Sequence, residues 1–325
     1  MTGVQTCALP ISRVALPGGC GELIQGTWEG VRCLVSCPVD IYSVAEVALA
    51  SGKQGQLLTE DPKAQVALRS GLTYYGLPDD AASLCLTSAL PRGRGYASST
   101  ADIGATLYAL GAAVGRPFSA GEVSQLAVAI EPTDSTIFPG LALFDHRVGS
   151  FYKDLGPAPP FAVLIIDPGG GVDTLAFNLQ DHENLLRRLA PQHGEAFSLL
   201  FGGLRRRNWG DVGAAATISA CIHQCMLPNP WLELVLALSK EIGGLGICRA
   251  HSGTILGILL DLKHADLPAA VCHIARRLPK EVTVRATSLT DGGPRFLSPS
   301  TLLADVHKVE ASMQITGGNR CLEKY

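Results

Sequence analysis

The chain has 325 residues, of which 47% are hydrophobic and 17% charged, and carries a net charge of −3. This balance describes a well-buried globular enzyme, long enough for two domains, and excludes a disordered chain. It argues equally against a nucleic-acid footprint, because the one short basic run, Arg205, Arg206 and Arg207, reads as a solvated helix end.

Ten cysteines occur without any Cys-x-x-Cys pair, so they read as buried, reduced thiols of a cytoplasmic protein and not as a metal site. Residues 212–232 lack Asp, Glu, Lys and Arg over about a membrane's length. His223, Gln224, Pro228, Asn229 and Pro230 interrupt that run, so a buried helix, a turn and a second helix are expected, with no membrane partner.

In chain order, "TGVQTCALPI" at 2–11 matches the translation of a sequencing-adapter oligonucleotide. Residues 1–11 are therefore read as an artefact and set aside from the fold. Strand-like segments follow at 13–16, 31–39 and 43–49, then a polar helix near 61–75 and a strand at 83–88. The stretch "PRGRGYASSTAD", 91–102, leads into a small, apolar, helix-compatible run over 98–114, ended by Gly115, Arg116 and Pro117. A helix over 120–129 and a series of turns and strands complete the first half.

"GPAPP" at 156–160 reads as a domain edge dividing the chain into 12–158 and 159–325. The second half opens with the strand "FAVLIID" and the turn "PGGGVDT", followed by several helices between 181 and 242. A strand–loop–strand, "GICRAHSGTILGILLD", precedes a helix near 265–277 and a strand over 282–289. His182, His193 and His223 lie on helix-like runs without ligand spacing and read as surface or core residues. Mixed elements with long, non-repeating crossovers predict an α+β fold in two layers and not a doubly wound sheet.

No Walker A sequence is present, but the 91–102 loop offers the same physics with other residues. Its glycines allow backbone N–H groups to approach an anion, and a helix starting near Ser98 presents free N–H groups and a positive dipole end. Ser98, Ser99 and Thr100 add hydroxyls for phosphate or magnesium. Taken alone, the stretch is equally a plain turn into a helix N-cap.

Pro91, Gly93, Gly95, Ser98, Ser99 and Ala101 fall where the Pro-x-Gly-x-Gly-x-Gly-Ser-Ser-Ala-Ala loop of the GHMP kinases (galactose, homoserine, mevalonate and phosphomevalonate kinases) has the same residues. Ala97 stands in place of the third glycine and Thr100 in place of an alanine. "PGGCGELIQG" at 17–26, with Leu23 and Gly26, resembles the family's first motif, and "RAHSGTILGILL" at 249–260 resembles its third. The phrases "EPTDSTIFPGLALFDHR" and "DPGGGVDTLAFN" are similar to the subgroup of L-threonine kinases that serves cobalamin synthesis.

The resemblance implies a ribosomal-protein-S5-like N-terminal domain, a ferredoxin-like C-terminal domain, and ATP with Mg2+ as cofactors. Pro91, Gly93, Arg94, Gly95, Tyr96, Ala97, Ser98, Ser99 and Thr100 would hold the phosphates. The γ-phosphate would pass to the hydroxyl of L-threonine, giving O-phospho-L-threonine for the aminopropanol linker of cobalamin. Ser99 and Glu131 map onto the family's ion ligands, and Asp134 onto the aspartate that accepts or orients the hydroxyl proton in some members. The plainer readings are a helix-end carboxylate before Pro132 for Glu131 and a turn cap for Asp134.

A zwitterionic substrate needs an anion near its ammonium and donors near its carboxylate. Glu22 is the candidate for the ammonium; Asp173, Thr174, Arg249, Ser252 and Gly253 are the further candidate contacts. Two alternatives stay open: a GHMP kinase for another acceptor such as homoserine, and a GHMP-fold sensor without catalysis. Oligomeric state is open, a homodimer included.

Overall fold

The structure is a computed structural model describing residues 11–50, 55–171, 182–298 and 314–316. Strands β1 (Ile11–Trp28) and β2 (Val31–Leu49) form a long antiparallel hairpin. Glu29 and Gly30 turn it, both at positive φ. The expected gap between 39 and 43 is absent: Val39, Ile41 and Val44 are all buried and carry the strand straight through Asp40.

The glycine block of β1 is strand too, yet its register against β2 shifts between Pro17 and Gly19, Gly19 and Glu22, and Glu22 and Ile24. Such bulges free backbone groups for other partners. Here they seat the 91–97 loop, since Gly19 N donates to Tyr96 O at 2.8 Å and Gly21 N to Gly95 O at 3.0 Å. Gly21 sits at φ +56, and a Cβ there would lie 2.2 Å from the Arg249 carbonyl carbon, so only glycine fits.

After the two-residue β3 (Leu57–Leu58) comes α1 (Pro62–Tyr74), whose N-cap Asp61 accepts from Ala64 N. Strand β4 (Ala82–Ser88) pairs with β2 and leads through the loop into α2 (Ser98–Val114). Gly115 ends α2 in the left-handed conformation. The small, apolar sequence of α2 follows from its burial against β1 and β2 on one side and α1 on the other. Helix α3 (Ala120–Val128), β5 (Leu141–Phe144) and β6 (Tyr152–Gly156) close the first half.

Residues 156–160 turn the chain from β6 into β7 (Phe161–Asp167). Helices α4 (Glu183–Arg206), α5 (Trp209–His223) and α6 (Leu232–Glu241) follow, then β8 (Gly246–Arg249) and β9 (Leu256–Asp261). Helix α7 (Leu267–Arg277), β10 (Thr283–Ser288), β11 (Arg295–Leu297) and β12 (Gln314–Thr316) complete the described chain. The path through the sheet is β12-β10-β7-β9-β8-β1-β2-β4-β3. Both halves therefore share one sheet, and the β8–β1 contact pairs Arg249 with Glu22. The α+β architecture agrees with the expectation from sequence.

Among the described residues no helix is long and apolar enough to cross a membrane. The cysteines do not all behave alike. Cys20, Cys33, Cys37 and Cys248 are buried and free, whereas Cys221 and Cys225, at the C-terminal end of α5, are exposed. Cys272 is disulfide-bonded, which corrects the reading of ten buried thiols.

Ala97 sits at φ 54 and ψ 27, a left-handed conformation that costs a residue with a Cβ about 1–2 kcal/mol. Ala97→Gly should relieve that strain, offset in part by about 0.4–1 kcal/mol of added chain entropy in the unfolded state. The variant is expected to melt at or slightly above the wild-type temperature. A drop of several degrees in a thermal scan would show that the Ala97 methyl packs more usefully than its strain costs.

Candidate active site

A cavity of about 290 Å³ is lined by residues of the first half together with Ser252 from the second. Its floor is the N-terminus of α2, which carries no side-chain cap. The first intrahelical bond of that turn runs from Ala101 N to Ala97 O at 3.0 Å, so the N–H groups of the preceding residues stay available to an anion. Gly93 at φ 72 and Gly95 at φ 102 let the loop curl over this end. At Gly95 a Cβ would lie 2.1 Å from the Ala250 Cβ, so loop and third motif are in backbone contact.

Thr254 N and Ile255 N both donate to Arg94 O, at 2.9 and 3.1 Å, and a Cβ on Gly253 would strike that same carbonyl at 2.3 Å. The Arg94 guanidinium reaches Asp167 Oδ2 at 3.0 Å, where Tyr96 also donates its hydroxyl at 3.1 Å. Arg94 and Tyr96 thus tie the loop to the end of β7. Gly93, Gly95, Tyr96, Ala97, Ser98, Ser99 and Thr100 line the cavity, whereas Pro91 and Arg94 do not.

The second wall comes from the segment after α3. Ser36 N donates to Ser135 Oγ and Ser135 N to Ser36 Oγ, each at 2.9 Å, which pins this segment to β2. Glu131 and Asp134 then face the start of α2. The Ser99 hydroxyl donates to Glu131 Oε1 in a short hydrogen bond, and Lys63 Nζ holds the other carboxylate oxygen at 2.5 Å. Thr100 Oγ1 donates to Asp134 Oδ2 at 3.2 Å and accepts from Asp134 N at 3.0 Å.

Glu22, from the bulged part of β1, is buried at the back of the cavity beside Asp134. Burial, and then the Glu22 carboxylate, push the Asp134 carboxyl up to about 8. Burial likewise pushes Glu22 up to about 8, against the His251 backbone N–H that favours its charged form. Two adjacent buried carboxyls of this kind titrate as a pair and keep a proton between them near neutrality.

Other sequence-based candidates fall elsewhere. Ser252 lines the cavity and Gly253 packs against Arg94 and Gly95 of the glycine-rich loop. Arg249 is fully buried behind the site, its guanidinium donating to Gln224 Oε1 and Leu227 O, both at 2.9 Å. Asp173 and Thr174 lie outside the described residues. His193 and His223 are buried, as core histidines, while His182 occupies the N-cap position of α4.

Three cavity or near-cavity groups were not among the candidates named from sequence, although Arg92 and His251 lie within the quoted motifs. Lys63 arrives from α1, Arg92 pairs with Asp61 at 2.7 Å and Asp102 at 3.4 Å, and His251 binds Glu22 from below. Lys63 and His251 meet their partners across 68 and 229 residues, and the pairing of Arg92 depends on side-chain direction, so none of the three contacts follows from a motif.

An α+β fold with glycine-loop, helix N-terminus and paired acids at one cavity defines a class of phosphoryl-transfer enzyme. The GHMP kinases N terminal domain pattern matches residues 59–139. An L-threonine kinase of Salmonella typhimurium is 34% identical over 254 residues, covering 77% of this chain and 83% of that protein. An L-threonine kinase of Citrobacter freundii is also 34% identical, covering 77% and 87%. The crystal structure of homoserine kinase from Cytophaga hutchinsonii superposes with a TM-score of 0.69 at 17% identity, covering 91% of this chain and all of that one. The chain belongs to the GHMP kinase family and is a small-molecule kinase.

Proposed function

We propose that the protein transfers the γ-phosphate of ATP to the side-chain hydroxyl of L-threonine, yielding O-phospho-L-threonine for cobalamin synthesis in the cytoplasm. The observation that carries this reading is the buried Glu22–Asp134 pair lining the same cavity as the uncapped α2 N-terminus, an ammonium-seeking group beside a phosphate-seeking one. The likeness to two L-threonine kinases supports the choice of acceptor. In this reading 12–158 holds the nucleotide and 159–325 completes the acceptor side.

Phosphoryl transfer asks the protein mainly to position reactants and neutralise charge. The loop N–H groups cradle the phosphates, and Asp134 accepts the hydroxyl proton as the new O–P bond forms. Glu22 meets the substrate ammonium. Ser99 and Glu131 present a hydroxyl and a carboxylate side by side, hard oxygen donors that would hold Mg2+. When bound, that ion neutralises phosphate charge.

Ser99→Ala and Glu131→Gln are expected to raise the magnesium concentration needed for half-maximal turnover by roughly tenfold or more, one lost charged contact being worth about 1.5–3 kcal/mol. Melting temperatures should stay near wild type. An unaltered magnesium titration in both variants would move the ion elsewhere. The acceptor itself is tested by mass spectrometry of the product formed from ATP and L-threonine: a phosphothreonine signal supports the assignment, and phosphorylation of homoserine with none of threonine overturns it.

A further inference from the structure

His251 lies under the cavity, 1% exposed, and both ring nitrogens are occupied. Nδ1 stands 2.7 Å from Glu22 Oε2 and 3.2 Å from the Arg249 carbonyl oxygen. The Arg249 carbonyl can only accept, and Glu22 Oε2 is the oxygen that accepts from the His251 backbone N–H, so Nδ1 carries the hydrogen. Nε2 stands 3.2 Å from the Ser219 hydroxyl, which accepts from Gln25 N at 3.1 Å; with the ring hydrogen on Nδ1, that hydroxyl gives its proton to Nε2 in preference to the Gln25 carbonyl oxygen at 3.5 Å. The imidazole is neutral, because burial and then the Arg249 charge hold its pKa well below the usual range.

The His251 backbone N–H donates to the same Glu22 Oε2 at 2.9 Å. His223 Nε2 donates to the His251 carbonyl oxygen at 2.7 Å, holding the C-terminal side of the residue that supplies both donors. Oε2 of Glu22 is thus held by two donors of one residue, which leaves Oε1 without a bond to His251. Arg249, though buried nearby, spends its guanidinium on Gln224 and Leu227. Two buried carboxyls without a cation between them are costly unless a proton or a ligand cation compensates.

We infer that His251 is a positioning residue: the directed chain from Gln25 N–H through Ser219 and His251 locks one oxygen of Glu22 and aims the other at the substrate's ammonium, so the site selects hydroxylated acceptors that bear an amine. The inference rests on the acceptor reading given above, and it adds the residue that enforces it.

The test compares wild type, His251→Leu, His251→Asn and Ser219→Ala for kcat and KM with L-threonine, alongside ATP affinity by calorimetry. The Asn side-chain amide can donate where Nδ1–H does, whereas Leu cannot. His251→Leu should raise the threonine KM roughly 10- to 100-fold, since a hydrogen bond to a charged group is lost. ATP affinity should be unchanged, His251→Asn should recover most of the loss, and Ser219→Ala should show a few-fold rise. 3-Hydroxybutyrate, which is threonine without its amine, should be a poor acceptor for every variant.

A folded His251→Leu with wild-type KM would overturn the inference, as would equal losses in the Leu and Asn variants. Should His251→Leu not fold, a wild-type KM in Ser219→Ala together with an Asn variant as impaired in ATP binding as in threonine binding would overturn it. If another amine-bearing alcohol proves to be the preferred acceptor, the threonine reading falls while the same variants test His251 on that compound. Preference for 3-hydroxybutyrate over threonine would sink the inference itself.

Discussion

Gly95→Val is expected to abolish measurable ATP binding while leaving a folded protein. Gly95 lies at φ 102, a backbone region closed to residues with a side chain, and its Cβ would sit 2.1 Å from the Ala250 methyl. The loop would have to leave both the third motif and its hydrogen bond from Gly21 N to Gly95 O. Strain of this type costs about 1–3 kcal/mol before any phosphate contact is lost, so affinity should fall by roughly 100-fold or more. Calorimetric titration with ATP checks this. A folded variant with wild-type affinity would remove the loop from the nucleotide site.

Asp134→Asn should lower kcat by roughly 10²- to 10⁴-fold with a smaller change in KM, the range for removal of a general base. The substitution keeps size and the hydrogen bonds with Thr100 but removes the basic oxygen. With burial and Glu22 pushing Asp134 up to about 8, wild-type kcat/KM should rise with pH towards 8 as the base ionises, and the variant should lose that limb.

Stability gives an independent reading of the same group. A carboxyl whose folded pKa is raised contributes stability that is complete below its ordinary unfolded value near 4 and is lost as pH rises through about 8. Asp134→Asn should therefore gain stability relative to wild type between pH 5 and pH 8. A variant with full kcat would spare the acceptor assignment and remove only the base.

The 91–97 loop and the helix that follows it were legible because their signals are local. Small residues over 98–114, and a glycine at 115 able to take the left-handed cap, suffice to set both ends of α2. The break between the strand segments at 31–39 and 43–49 was misplaced, since Asp40 is a polar interruption in sequence but continues the pleat in space. Arg249 advertises a charge without its direction, and folding turns that charge away from the cavity onto Gln224 and Leu227. The Glu22–His251 contact joins residues 229 apart, set by the β1–β8 pairing and not by any run of sequence.

The most direct measurement is coupled ADP release from ATP against L-threonine, L-serine, L-homoserine and 3-hydroxybutyrate. The account predicts turnover with L-threonine above all others. Serine should trail by roughly 10- to 200-fold, the limit one methyl group can enforce through a pocket. Homoserine, whose hydroxyl sits one bond further from the amine that Glu22 is proposed to hold, should react poorly because the attacking oxygen is misplaced. ADP release with homoserine and none with threonine, or with no acceptor at all, would contradict it.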